Sequence, residues 1–370
     1  MFSNNNVNVT IYHNMKSSSL FLLSLLGIAC NTLAQTVTDV RFEQVNKQVK
    51  ITYILDEQAD ISVSISEDGG KTWHVPLKQV SGDVGKQVQP GSKTIYWDVL
   101  AEYDQLVCTN ICFKVTPAQK VEKLTFTVNG VSFTMIYVEG GTLTMGATSE
   151  QGGYAADDEK PAHQVTLSDY YIGQFEVTQE LWQAVMKTTV SQQRDKSNPS
   201  YPLNGIGDNY PMYYINWEEC QQFISKLNSR LSRQLGGRHF ALPTEAQWEY
   251  AARGGQKSQG YRYAGSNDLA EIGWYGGNSN NKIHPVGLKL PNELGIYDMS
   301  GNLREWCLDG YEPYVSEIKT NPEGVSFGTG RVERGGCYYK HAGFCRVSCR
   351  CIDFLVNRYN SLGFRLALIP

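Results

Sequence analysis

Between Pro117 and Lys123 the chain changes its pattern, and that change constrains the fold more than any other feature. Before it, apolar residues recur at every second position: Val49, Ile51, Tyr53 and Leu55, then Ile61, Val63 and Ile65 between Ser62, Ser64 and Ser66. A period of two puts each set on one face of a strand, so residues 35–117 are expected to form an all-β module. After it come short strands, long stretches rich in Gly, Asn and Tyr, and three segments with helical periodicity. A chain of 370 residues is long enough for two cores. The fold class expected is therefore α+β, with 35–117 an immunoglobulin-like β-sandwich acting as a spacer or docking module, 118–124 a polar linker and 125–370 a second domain.

Within the first module, Ser66-Glu67-Asp68-Gly69-Gly70-Lys71-Thr72-Trp73 has the form S-x-D-x-G-x-T-W and resembles an Asp-box hairpin. Asp and Gly shape such a turn, and the Trp is expected to pack back on the sheet. The three helices of the second domain announce themselves by their caps. One begins at Thr178 with the stripe Leu181, Trp182, Val185 and Met186. The next opens with the capping box Asn216 and Glu219, buries Cys220, Phe223, Ile224, Leu227 and Leu231, and stops at Gly236. The last opens with Thr244 and Gln247, turns Trp248, Ala251 and Ala252 inward, and ends at Gly254-Gly255. Long loops cannot order themselves by backbone pairing alone, so side chains, ions or disulfides must pin the remainder.

Residues 1–34 read as an export signal whose working start is Met15. Lys16 supplies the positive charge, Leu20 to Ala29 the apolar run, and Thr32-Leu33-Ala34 the cleavage site before Gln35. The run is too short to span a bilayer. Cys30 offers a lipoprotein alternative, the one route by which a membrane becomes a partner. The protein is thus expected in the periplasm, at the cell surface or outside the cell. A net charge of -4 with no basic run gives no electrostatic reason to expect nucleic acid as a partner. Eight cysteines follow the signal: Cys108, Cys112, Cys220, Cys307, Cys337, Cys345, Cys349 and Cys351. They match no zinc spacing, their connectivity stays open, and Cys349 and Cys351 are expected on the same face of a strand.

Five segments, in order, carry a resemblance. They are Met135 to Gly141 with Met145-Gly146; Phe175-Glu176-Val177-Thr178; Leu242 to Gly255 (LPTEAQWEYAARGG); Asn292 to Asn302 (NELGIYDMSGN) with Glu305-Trp306; and Arg331 to Gly336 with Gly363-Phe364-Arg365. Together they make residues 125–370 resemble the formylglycine-generating enzyme (sulfatase-modifying factor) family, whose fold is C-type-lectin-like. The resemblance implies a structural Ca²⁺ held by Asp298 and Glu305 and by the carbonyls of Gly301 and Leu303, a donor set suited to a hard cation. Asn278 and Asn280 are candidates for a second such site.

The family's reaction, oxidation of a substrate cysteine to formylglycine, uses Cu⁺ held by two thiolates. Counting from Gly335-Gly336, the second falls on Cys345 but the first falls on Lys340, and an ammonium cannot replace a thiolate. Only a swing of Cys337, Cys349 or Cys351 toward Cys345 would restore the pair. His163, His239, His284 and His341 show no metal spacing. On this count the chain leans away from being an enzyme, with Cys345 catalytic only under the oxidase alternative.

The same segment points elsewhere. Residues 351–357 and 359–362 (CIDFLVN and YNSL) contain no Lys, Glu, Gln, Met or Trp, the pattern left by replacement of adenines in Asn-type codons. It resembles the variable region of retroelement-diversified proteins built on this fold. Residues 337–362 are accordingly expected to bind a protein or cell-surface ligand through Tyr338, Tyr339, Phe344, Phe354 and Tyr359, a side-chain set that suits an adaptable paratope. Arg346, Arg350 and Arg365 are expected to be internal struts. An undiversified binding or assembly protein and the copper oxidase are the other two readings.

Overall fold

The computed structural model describes residues 37–370 apart from 57, 75, 104, 105, 107–109, 118–121, 326 and 327. The expected signal over 1–34 with Cys30, Cys108, and linker positions 118–121 lie outside the described residues. Contacts divide the chain into two compact units, Met1–Lys120 and Val121–Pro370.

The first unit holds two antiparallel sheets. One runs in the order Val37–Val45, Gln48–Leu55, Gly91–Asp98, Val80–Gly82; the other in the order Gly85–Val88, Ala59–Ser66, Cys112–Pro117. The alternating residues meet in one core, where Val49, Ile51, Tyr53 and Leu55 join Ile61, Val63 and Ile65 around a fully buried Trp97. The hairpin after Ser66 forms because Asp68 collects four donors: Ser66 Oγ at 2.8 Å, the Lys71 and Thr72 amides at 2.9 Å, and Thr72 Oγ1 at 2.7 Å. Trp73 departs from expectation. It is 39% exposed, so it packs back only in part, with Lys114 Nζ of the strand Cys112–Pro117 5.8 Å from its ring centre.

The second unit mixes α and β with sheet predominating. Its largest sheet has the order His239–Ala241, Ala367–Ile369, Tyr170–Gly173, Val131–Val138, Lys123–Val128, so the last residues of the chain are a central strand and the strand at Lys123 starts inside the segment read as linker. The helices stand where their caps placed them. Gln179–Met186 is capped by Thr178, whose hydroxyl accepts from the Leu181 amide at 3.2 Å. Trp217–Leu235 has a reciprocal Asn216/Glu219 box and ends on Gly236 at φ 59, a left-handed value that glycine adopts without strain. Glu245–Ala252 has the Thr244/Gln247 box. Short helices at Val190–Asp195 and Leu269–Ile272 escaped the sequence reading because one or two turns leave no period to detect.

Buried ion pairs pin the loops. Arg346 meets Glu159 at 2.5 Å, Arg350 meets Glu245 at 2.6 Å, Arg365 meets Glu305 at 2.6 Å, and Arg334 meets Glu249, every side chain at most 6% exposed. Arg346, Arg350 and Arg365 are thus the internal struts expected of them. Among the described residues Cys112, Cys220, Cys307, Cys337, Cys345, Cys349 and Cys351 are free thiols, so disulfides do not share this task.

Candidate functional site

A second sheet positions the segment 337–362. Its order is Arg350–Phe354, Gly330–Arg334, Arg304–Gly310, Leu362–Gly363, which makes Arg350–Phe354 an edge strand. The chain enters through Gly335 at φ 94 and Gly336 at φ 69. A Cβ on Gly336 would stand 2.6 Å from the Phe344 carbonyl oxygen and 2.7 Å from Cys345 Sγ, so only glycine lets the loop fold back on itself here. The inward side is fixed by Arg346 and Ser348 on Glu159 and by Arg350 on Glu245.

The outward side is apolar. Tyr339, Phe344, Ile352, Phe354, Val356 and Tyr359 are each 39–60% exposed. Arg304 lies 5.6 Å from the Tyr359 ring centre, Tyr339 Oη is 3.3 Å from Ser361 Oγ, and Lys340 Nζ sits 5.6 Å and 5.1 Å from the Tyr339 and Phe344 rings. These contacts hold the rings in place while leaving faces open, the arrangement that lowers the entropic cost of binding. Beside them a cleft of about 510 Å³ is lined by Val356, Arg358 and Tyr359 with Lys196, Tyr201 and Tyr214. The last three were missed in the sequence, where nothing local ties them to a segment some 150 residues downstream.

Two expectations for this face change. Tyr338 is 1% exposed; its hydroxyl accepts from Asn204 Nδ2 at 2.6 Å and its carbonyl from Ser279 Oγ at 2.6 Å, so it supports the face from within and cannot touch a ligand. Ser361 and Leu362, at the end of the variable-looking stretch, are fully buried.

Cys345 is also fully buried, packed with Tyr263, Leu269 and Ile272. Burial pushes its thiol well up, opposing the thiolate that copper needs. Cys337 lies near enough to act on it electrostatically, but it is buried as well and its own thiol is raised by burial. Neither opens on a groove, and Lys340 at the other ligand position is turned to the aromatic rings. The histidines stay apart: His163 Nδ1 is 3.1 Å from the Pro161 carbonyl, His284 stacks on Trp274 at 3.7 Å, and His239 and His341 are exposed. Among the described residues no group of three His, Cys, Asp or Glu side chains is arranged to hold a metal ion by side chains alone.

Asp298 and Glu305 share a buried acidic pocket with Glu176, and Gly301 and Leu303, which lie between them in sequence, are buried as well. Burial and the nearby Asp298 and Glu305 raise Glu176 well above the carboxylate range, and burial raises Asp298 to about 6. Opposing them is Arg365, whose Nε and Nη2 each donate to Glu305 at 2.6 Å; Trp248 Nε1 donates to the same carboxylate at 2.7 Å. Three acids face one guanidinium. Asp298 Oδ2 accepts from the Gly287 amide at 2.8 Å, while Oδ1 is buried with no partner. Glu305 uses three of its four lone-pair directions, which leaves one on Oε1. An orphaned acidic oxygen, a spare lone pair and excess negative charge are donor chemistry that suits a hard divalent cation. Asn278 does not extend the set, because its amide caps a turn from the Tyr275 amide to the Gly273 carbonyl, both at 2.9 Å, and Asn280 is exposed.

Residues 125–369 match the model of the "Sulfatase-modifying factor enzyme 1-like domain". The chain is similar to the chaperone protein LppX of Paenibacillus barcinonensis, 33% identical over 251 residues that cover 59% of this chain and 83% of that protein. It is 30% identical over 290 residues to the formylglycine-generating enzyme of Streptomyces coelicolor, covering 63% and 88%. Among solved structures, Treponema denticola variable protein 1 superposes with a TM-score of 0.58 at 32% identity, over 69% of this chain and all of the other.

Proposed function

The chain belongs to the sulfatase-modifying factor family, and on that premise we propose that it is an exported, non-catalytic binding protein whose ligand-binding face is built by residues 337–362. One observation carries the reading. Among the described residues of 121–370, six of the twelve exposed large hydrophobic side chains come from this one segment, which the buried Arg346 and Arg350 pairs hold rigid. Clustered apolar side chains on a rigid frame mark an interaction surface, whereas scattered ones do not. Tyr339, Phe344, Phe354 and Tyr359 are the contacts, joined by Ile352 and Val356, and the ligand is a protein or cell-surface molecule. The similarity to a variable protein and to a protein named as a chaperone supports a binding role. In this reading the first unit is a docking module, and calcium at Asp298 and Glu305 is structural.

Residues 351–362 are further proposed to be diversified by a retroelement. The expected result of sequencing the gene and its flanks is codons ending in C or T throughout 351–362, with an adenine-rich copy of that stretch beside a reverse transcriptase gene. Purine-ending codons and no such copy would leave a plain binding protein.

Copper chemistry needs a second accessible thiolate beside Cys345, and the burial of both Cys345 and Cys337 argues against it. Titration of Cu⁺ against a competing chelator is therefore expected to reveal no site that depends on Cys345. A stoichiometric tight site lost in Cys345→Ser would restore the oxidase reading.

A further inference from the structure

The largest sheet of the second unit forks, and the fork lies outside the segment 337–362 that the binding reading uses. Val131–Val138 is paired with Lys123–Val128 on one side from Val131 to Ile136, whereas on the other side Tyr170–Gly173 accompanies it only from Val138 to Met135. The chain then turns away. The Gln174 amide still reaches the Thr134 carbonyl at 2.9 Å, but by Val177 the backbone has gone over to the Phe364 carbonyl, also at 2.9 Å. Among the described residues no strand lies opposite Ser132 on that side.

Backbone bonds fix which way that stretch faces. In an antiparallel strand the N–H and C=O of one residue point to the same side, and the side alternates from residue to residue. Tyr137 donates to the Glu122 carbonyl at 2.8 Å, on the side of Lys123–Val128, and Thr134 accepts from Gln174 on the opposite side. Ser132, two residues before Thr134, therefore aims its N–H and C=O into the fork. The fork is a cleft of about 420 Å³ lined by Val131 to Met135 and by Phe175, Leu181, Val286 and Leu288. Its charge has one sign. Glu176 and Glu180 line it, with no Lys, Arg or His. The Glu176 carboxylate is occupied by the Asn302 side chain at 2.7 Å and the Leu303 amide at 3.0 Å, whereas Glu180 is exposed.

We propose that this cleft binds a short extended peptide of a partner protein, which adds to the sheet at Ser132 and places a Lys or Arg beside Glu180. Each feature of the cleft selects a feature of the occupant. The free donor and acceptor of Ser132 call for a partner that offers both at strand spacing, which an extended main chain does and a lipid tail does not. Alternate side chains of that strand meet the apolar walls at Phe175, Leu181 and Val286. An exposed carboxylate in a cleft without cations favours a basic side chain over an acidic one.

The full chain is titrated with a fluorescein-labelled heptapeptide, Lys-Val-Thr-Val-Thr-Val-Lys, and binding is read by anisotropy. Saturable binding is expected. Two methylated peptides test the strand pairing, one with its valine amide nitrogens blocked and one with its threonine amide nitrogens blocked. Only one of these sets faces the protein, so one peptide is expected to lose about tenfold in affinity and the other little. Exchanging both lysines for glutamates should weaken binding about tenfold, and Glu180→Lys should reverse that preference. Leu288→Asp, at a side chain 59% exposed on the rim, is expected to abolish binding without unfolding the chain, while Phe354→Ala in the face 337–362 leaves it unchanged. The proposal is overturned by absence of saturation at millimolar peptide, by methylated peptides that both bind as the parent does, or by loss through Phe354→Ala instead of Leu288→Asp. A dimer in sedimentation that Leu288→Asp dissociates also overturns it, because a second copy then fills the cleft.

Discussion

Replacing Arg365 with Ala is expected to destabilise the second unit by about 3–5 kcal/mol, the cost of stranding a buried charge. Arg365 is fully buried and commits every donor it has placed: Nε and Nη2 to Glu305, Nη1 to the Gly173 carbonyl at 3.0 Å, and Nη2 also to the Tyr297 carbonyl at 3.0 Å. Without it, Glu305 keeps only the Trp248 indole as a donor and stands beside Glu176 and Asp298. Denaturant unfolding followed by tryptophan fluorescence reads the loss, because Trp182, Trp217, Trp248, Trp274 and Trp306 all lie in this unit. The pair itself need not be a net source of stability. In chelator, the double variant Arg365→Met with Glu305→Leu is expected to recover most of the loss, since an apolar pair of similar volume avoids desolvating two ions. A single variant costing under about 1 kcal/mol, the range of an exposed pair, would mean that the guanidinium is solvated rather than sealed.

Calcium should raise the stability of the same unit, by about 2.7 kcal/mol when the free ion is a hundredfold above its dissociation constant. The physical source is the uneven charge of the pocket, where Glu176, Asp298 and Glu305 face Arg365 and Asp298 Oδ1 has no partner. The measurement compares melting in EDTA with melting in millimolar calcium, using magnesium as the control, because magnesium holds its waters and demands a tighter octahedron. Asp298→Gly tests the assignment: glycine accepts the backbone at φ 58 without strain and removes the carboxylate. It should abolish the calcium effect while Arg365→Ala, with one positive charge fewer, enlarges it. Equal melting in EDTA and calcium would exclude a structural calcium here.

Cys351 illustrates how far sequence reading reached. Spacing gave only the expectation that Cys349 and Cys351 share a face, whereas the difference in their exposures depends on which strand lies next to which. The copper question was posed by Lys340, visible by counting, whereas the burial of Cys345 and Cys337 that bears on it is encoded by no spacing. Tyr338 and Tyr339 are adjacent and chemically identical, yet one is buried and the other exposed. The turn through Gly335 and Gly336 has no strand period, so alternation could not assign them.

Whatever is settled within three or four residues was legible in the chain. Capping boxes at Asn216 and Thr244, the alternation from Val49 to Ile65 and the Asp68 turn are all closed by neighbours a few residues away, so residue type alone specifies them. Tertiary structure decided the rest: the Arg346–Glu159 pair joins residues 187 positions apart, and the cleft brings Tyr201 to Tyr359. Such contacts depend on the path of the whole backbone, and burial, which sets both the acidity of a thiol and the usefulness of an aromatic ring, exists only once that path is closed.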